Sequence, residues 1–162
     1  MTKPVAIVTG GSRGVGAEVS ILLAKKGWNL AITCSSSMDA AKEICQDCET
    51  HGAETIVIQA DVSQPDLCAK TVKDTIDEFG KLDALINNAG TTKFNAHDNL
   101  EGLSKDDFLG LYAINTVGPY MMIKESREYL AKSDNPSVVN VASIAGVLGI
   151  GSSVAYAASK GA

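Results

Sequence analysis

Short runs rich in valine, isoleucine and alanine recur at residues 5–8, 30–32, 55–58, 84–86 and 138–141, each bounded by turn or cap residues. Their nearly continuous apolar character predicts strands covered on both faces, and the segments between them repeat at helical spacing. A parallel sheet with crossover helices follows, which places the chain in the α/β class. Between the first two strands, Val15, Val19, Leu22 and Leu23 are expected on one buried helical face, with Gly27 after Lys25 and Lys26 as the stop signal. Residues 38–51 and 65–79 predict the next two helices, the second with Pro65 in its first turn.

A longer helix is predicted from Ser104, which can cap it while Asp107 closes a capping-box pair and Phe108 starts the apolar face, to about residue 132. Pro119 lies inside this helix. A proline cannot donate to the carbonyl four residues earlier, that of Asn115, so a kink that frees this carbonyl is expected.

Length and charge narrow the picture. A chain of 162 residues with no repeat, low-complexity tract or linker is read as one domain, residues 1–162. The net charge of -5, with both signs scattered, offers no basic stripe for a phosphate backbone, so nucleic acid is excluded as a partner. No positively charged leader precedes a long apolar run, which predicts a cytoplasmic protein without a membrane partner. Cys45 and Cys48 have C-x-x-C spacing but sit inside a helical run, so buried thiols are expected, with no metal and no disulfide.

The chemistry begins directly after the first strand, where Thr9-Gly10-Gly11-Ser12-Arg13-Gly14-Val15-Gly16 opens the first helix. Glycines let the backbone approach a pyrophosphate closely, and a helix N-terminus offers unpaired N–H groups and a positive dipole end. Gly10, Ser12, Arg13, Gly14, Val15 and Gly16 are therefore candidate dinucleotide contacts, although the spacing is not G-x-G-x-x-G. Near the C-terminal end, Tyr156 and Lys160 stand at positions i and i+4 and share a helix face. Bringing a tyrosine from a pKa of about 10 to about 7 requires roughly 4 kcal/mol. A unit charge at about 4 Å with an effective dielectric of about 20 supplies about that much. The pair suits proton transfer.

These motifs together resemble the short-chain dehydrogenase/reductase family. Thr9 to Gly16 looks like its cofactor loop, and four matches follow in family order: Asp61-Val62 after the third strand, Asn87-Asn88-Ala89-Gly90 after the fourth, Asn115 in the long helix, and Ser143 thirteen residues before Tyr156-Ala157-Ala158-Ser159-Lys160. The resemblance implies a Rossmann-like doubly wound parallel sheet with helices on both faces. It implies catalytic roles for Asn115, Ser143, Tyr156 and Lys160: Ser143 holds the substrate oxygen, Tyr156 transfers its proton, and the Asn115 carbonyl holds a water near Lys160. It gives cofactor contacts to Asp61, Val62, Asn88, Ala89, Gly90, Tyr156 and Lys160, the asparagines being largely structural.

Relatives that prefer NAD usually carry an acidic residue at the end of the second strand, where this chain has Cys34-Ser35-Ser36. With no carboxylate to repel a 2′-phosphate, and with Arg13, Ser35 and Ser36 able to bind it, NADP is the expected cofactor and NAD the alternative. The implied activity is hydride transfer between nicotinamide and a small carbonyl or alcohol, with 3-oxoacyl thioesters among the substrates of relatives. Family members commonly pair as homodimers or homotetramers. They also continue for several elements past the lysine, so the chain is read as C-terminally incomplete, lacking the last strands of the family fold and inactive alone. A non-catalytic NADP-sensing module is the rival reading, and a purely structural interaction domain a weaker third.

Overall fold

Strand β1 (Val5–Val8) sends Ala6 and Val8 into one apolar layer and Ile7 into the other, so both faces of the strand are sealed. The same division runs through β2 (Asn29–Cys34), where Leu30, Ile32 and Cys34 join the first layer and Ala31 the second. This period of two explains why the strands read as unbroken apolar runs: each face needs its own set of side chains. With β3 (Thr55–Gln59), β4 (Ala84–Asn87) and β5 (Ser137–Asn140), they form one parallel sheet in the order β3-β2-β1-β4-β5. It is a Rossmann-like α/β fold. The computed structural model describes residues 2–162.

Helices α1 (Gly14–Lys25) and α2 (Met38–Thr50) cover the first layer. Helices α3 (Pro65–Phe79) and α5 (Gly118–Leu130) cover the second, through Cys68, Val72, Met122 and Leu130. On α1 the buried positions are Gly16, Ala17, Ser20 and Ala24. Val19 and Leu23 pack against the layer as expected, but Val15 and Leu22 are 59% and 54% exposed. The expected apolar face is corrected here by close approach. A Cβ added at Gly16 would lie 2.4 Å from Asn88 Nδ2 and 2.6 Å from the Gly10 carbonyl oxygen, so only small side chains fit between α1 and the sheet.

The capping box at Ser104 is present, with the Asp107 N–H donating to Ser104 Oγ and the Ser104 N–H donating to Asp107. The long helix does break, but ahead of Pro119 rather than at it. After α4 (Lys105–Tyr112), residues Ala113–Val117 form a π-helical turn in which the Gly118 N–H donates to the carbonyl of Ala113, five residues back. Pro119 then sits in the first turn of α5, where its missing N–H costs nothing.

Beyond β5 come two short helices, α6 (Ile144–Leu148) and α7 (Val154–Gly161). Among the described residues, strand β5 pairs only with β4, and all four of its residues are exposed. At the opposite end of the sheet from the strand C-termini, Asp83 ties three segments together. Its carboxylate accepts from the Val5 N–H at 2.8 Å and Ser133 Oγ at 2.6 Å, and Lys81 Nζ lies 3.0 Å away. Burial pushes this carboxyl up, but the Ser133, Val5 and Lys81 donors together hold it below the ordinary carboxylate value. Among the described residues no helix is long and apolar enough to cross a membrane.

Candidate cofactor cleft and active site

In the order β3-β2-β1-β4-β5, consecutive crossovers run in opposite directions from the central β1, and a crevice opens between β1 and β4 at their C-terminal ends. The glycine loop lies there. Gly10 has φ +64°, and a Cβ on it would meet Ala89 Cα at 2.9 Å, so this position needs glycine on two independent grounds. Gly14 follows with φ +55° and starts α1, whose N-cap Arg13 makes no side-chain cap bond. The first-turn amides are thus left without an internal acceptor from that side chain.

A cleft of about 340 Å³ lies over this loop. Of the candidates named from sequence, Gly10, Ser12, Arg13, Ser35, Ser36, Asp61, Val62, Asn88, Ala89 and Gly90 line it. Gly14, Val15 and Gly16 stand outside the lining, Val15 on the solvent side of α1 and Gly16 beneath it. Cys34, Ser37, Ala60, Thr91 and Ile114 complete the wall and were not singled out from sequence.

The loop is held by hydrogen bonds from β4. Thr9 Oγ1 accepts from the N–H groups of Asn88 and Ala89, each at 3.0 Å, and donates to the Ile86 carbonyl at 3.3 Å. Asn88 Nδ2 donates to the carbonyls of Thr9 at 2.9 Å and Gly10 at 3.1 Å. Asn88 therefore braces the loop with the amide that faces it. From the other side, Thr33 Oγ1 accepts from the Gly10 N–H and its carbonyl from the Gly11 N–H. Thr9 and Thr33 are the loop's main polar anchors. Their signal in the sequence is a threonine at the polar end of an apolar strand. Asp61 Oδ1 accepts from the Ser63 N–H at 2.9 Å, an Asx-type turn that leads into α3.

The remaining candidates gather on the far side of Gly90. A Cβ added there would stand 3.2 Å from Asn115 Oδ1 and 3.4 Å from Lys160 Nζ, so the cleft wall, the π turn and α7 meet at this glycine. Lys160 Nζ donates to the Val141 carbonyl at 2.9 Å, and burial lowers its pKa from the ordinary lysine value. Ser143 caps α6, its Oγ accepting from the Ala145 N–H at 3.2 Å, which leaves its hydroxyl proton free to donate. Tyr156 is half-buried on α7, whose N-cap is the buried Ser153, accepting from the Tyr156 N–H. Ser143, Tyr156 and Lys160 do not themselves line the cleft.

Asn115 is buried with its amide fully engaged. Its Oδ1 accepts from the Thr91 N–H, and its Nδ2 donates to the Thr91 carbonyl and to Ser159 Oγ, all at 2.9 Å. Whereas the sequence pointed to the Asn115 carbonyl, it is the side chain that joins the β4 loop to α7.

Cys34 lines the cleft, and the other three thiols lie away from this chemistry. Cys45 and Cys48 are buried against the first apolar layer, and burial pushes Cys48, and Cys68 on the other face, up to about 11. They are inert as nucleophiles at neutral pH. Among the described residues no group of three or more His, Cys, Asp or Glu side chains stands close enough to hold a metal ion.

Residues 4–162 match the short chain dehydrogenase family. Over 155 residues the chain is 31% identical to the 3-oxoacyl-(acyl-carrier-protein) reductase of Staphylococcus epidermidis, covering 96% of this chain and 62% of that protein. A crystal structure of a protein assigned as a short-chain dehydrogenase/reductase from Burkholderia xenovorans superimposes with a TM-score of 0.96 at 37% identity, covering 99% of this chain and 68% of that one. An NAD+-bound xylitol dehydrogenase superimposes with a TM-score of 0.90 at 29% identity, covering 99% of this chain and 60% of that one. The chain thus spans about 62% of the length of the curated relatives it matches.

Proposed function

The chain belongs to the short chain dehydrogenase family, and from that premise we propose that it is the cofactor-binding and catalytic part of an NADP-dependent oxidoreductase acting on a carbonyl or secondary alcohol. The observation that carries this reading is the junction at Gly90, where the cleft of about 340 Å³ over a glycine loop meets Asn115 and Lys160. The glycine loop fits a diphosphate because a Cβ at Gly10 would fill the space against Ala89, and because α1 presents amides that no side chain caps. When bound, the nicotinamide supplies or removes hydride at the substrate carbon.

The chain's own residues handle binding and the proton. Ser143 donates its hydroxyl hydrogen to the substrate oxygen, and Tyr156 gives that oxygen a proton in reduction and removes it in oxidation. The Lys160 ammonium stands one helical turn from the phenol and favours its ionised form. A water on the Asn115 carbonyl would extend the proton path beyond Lys160. Arg13, Ser35 and Ser36 line the cleft where β2 ends without a carboxylate, which supports a 2′-phosphate and hence NADP over NAD.

The substrate reading is a 3-oxoacyl thioester or small carbonyl, supported by the reductase relative. Exposed Leu109, Val117 and Tyr120 on the α4–α5 side support pairing of the complete protein into a homodimer or homotetramer. Free cysteines at all four positions suit a reducing, cytoplasmic setting.

The test is steady-state turnover of the full-length protein with NADPH and with NADH, against acetoacetyl thioesters, diketones and sugars. A kcat/KM at least about tenfold higher for NADPH on any carbonyl is expected from a phosphate–arginine contact. Reversed cofactor preference refutes NADP, and tight cofactor binding without turnover on any substrate points to a sensing module instead.

A further inference from the structure

We propose that Ser159 is a positioning residue that sets the reach of Lys160 toward Tyr156 by locking α7 to the π turn. The proposal rests on the reading of Tyr156 and Lys160 as the proton-transfer pair. Ser159 is 1% exposed and precedes Lys160 directly. Its Oγ donates to the Tyr156 carbonyl at 2.8 Å and accepts from Asn115 Nδ2 at 2.9 Å. Its carbonyl accepts from Thr116 Oγ1 at 2.9 Å. One residue earlier, the Ala158 carbonyl accepts from Tyr112 Oη at 3.3 Å.

Three side chains around the π turn therefore reach the last turn of α7, and two of them end on Ser159. The π turn carries one more residue per turn than an α-helix, which changes where Asn115 and Thr116 face relative to the regular helices on either side. Because the Asn115 amide also holds Thr91, beside Gly90, the hydroxyl of Ser159 joins α7 to the cleft wall that Lys160 touches.

The buried apolar positions of α7, Ala155 and Ala157, are small and lie about 200° apart around the helix, and a Cβ on Gly146 of α6 would stand 2.5 Å from the Lys160 carbonyl. The hydrogen bonds of Ser159 add a directional restraint that packing of small side chains does not supply. The consequence is electrostatic. A longer ammonium–phenol separation weakens the electrostatic support that Lys160 gives to proton loss at Tyr156.

The test uses the full-length protein as Ser159→Ala, Ser159→Thr and Thr116→Val, with Tyr156→Phe as the reference. Ultraviolet difference titration of each protein against its own Tyr156→Phe counterpart isolates the ionisation of this one phenol without any bound cofactor. Ser159→Ala is expected to move that titration to higher pH and to lower kcat about ten- to a hundredfold, the scale of a sub-ångström to ångström misplacement, with cofactor affinity unchanged. Ser159→Thr keeps the hydroxyl and should restore both. Thr116→Val removes only the second link and should shift the titration in the same direction by less.

An unmoved titration and a wild-type kcat in Ser159→Ala would overturn the proposal. So would a kcat loss that Ser159→Thr fails to rescue and that tracks weakened cofactor binding. Full turnover in Tyr156→Phe would instead overturn the underlying site assignment.

Discussion

The two halves of the site are built differently. The candidate cofactor cleft stands at the centre of the sheet, over strands β1 and β2 that are buried along their whole length, and close backbone approach contributes to its shape: a positive φ at Gly10 and no room for a side chain at Gly16. The proposed proton-transfer half stands at the sheet's edge, beside β5, where Val138 and Val139 are 43% and 51% exposed. There the elements are short and are fixed by side-chain hydrogen bonds between residues far apart in sequence, such as Asn115 to Ser159. Close backbone approach together with the Thr9, Thr33 and Asn88 hydrogen bonds shapes the first half, whereas the second depends on side-chain pairing of short elements at an exposed edge, so the two should fail in different ways.

Replacing Tyr156 by Phe should separate them most sharply. Loss of a positioned proton donor is expected to cut turnover about a thousandfold while NADPH binding, measured by fluorescence, stays within about twofold. Gly16→Val attacks the other half. Its side chain collides with Asn88 and Gly10, so cofactor binding should be lost and unfolding stability fall by about 3 kcal/mol in denaturant titration.

Asp83→Asn breaks the tie that holds the central β1 to the segment leading into β5, and should cost about 2 kcal/mol at neutral pH. The pH dependence has a definite sign. The folded-state pKa of Asp83 lies below its ordinary value of 3.8, so its contribution is complete above that value and fades as pH falls through the folded one. Urea melts of wild type and variant should therefore converge in acid. Convergence in base would overturn the assignment.

Arg13→Ala should raise the KM for NADPH about tenfold and leave that for NADH unchanged, since only one of the two carries the phosphate. The smallest effect is expected at Ser104→Ala, about 1 kcal/mol from loss of an N-cap. Its partner Asp107 is held down to about 2, chiefly by Lys93 and then by the Ser104 backbone and hydroxyl. The capping box should accordingly persist through mild acid and open only as pH approaches that value, visible as loss of amide protection at the start of α4.

The same contrast explains what could be read in the sequence. Strand β1 and helix α3 were legible to the residue, because an apolar run ending in glycine, and a proline opening a helical period, are local signals. The placement of Tyr156 and Lys160 about one turn apart on one helix was legible because positions i and i+4 share a helical face. The buried face of α1 was not: Gly16, Ala17, Ser20 and Ala24 carry little hydrophobic signal, and only the proximity of β4 makes them the buried ones. Likewise Pro119 announced a break, but that it would take the form of a π turn ahead of the proline depends on how Asn115 and Thr116 are received by α7. Ser159 looked like spacing within a motif. Its meaning lies in a residue 44 positions earlier.

The strand order also governs when the protein can fold. The central β1 pairs on one side with β2, beginning at Val5 with Asn29, but on the other with β4, beginning at Ala6 with Ala84. At a synthesis rate of about 5–20 residues per second, β1 waits roughly 4–16 s after it is made before its second neighbour exists. During that interval one whole edge of the future sheet's centre is unpaired, and the glycine loop has neither Asn88 nor Ala89 to close against. The cleft is thus a late event in the life of the nascent chain, because Asn88 follows Thr9, which it closes against, by 79 positions.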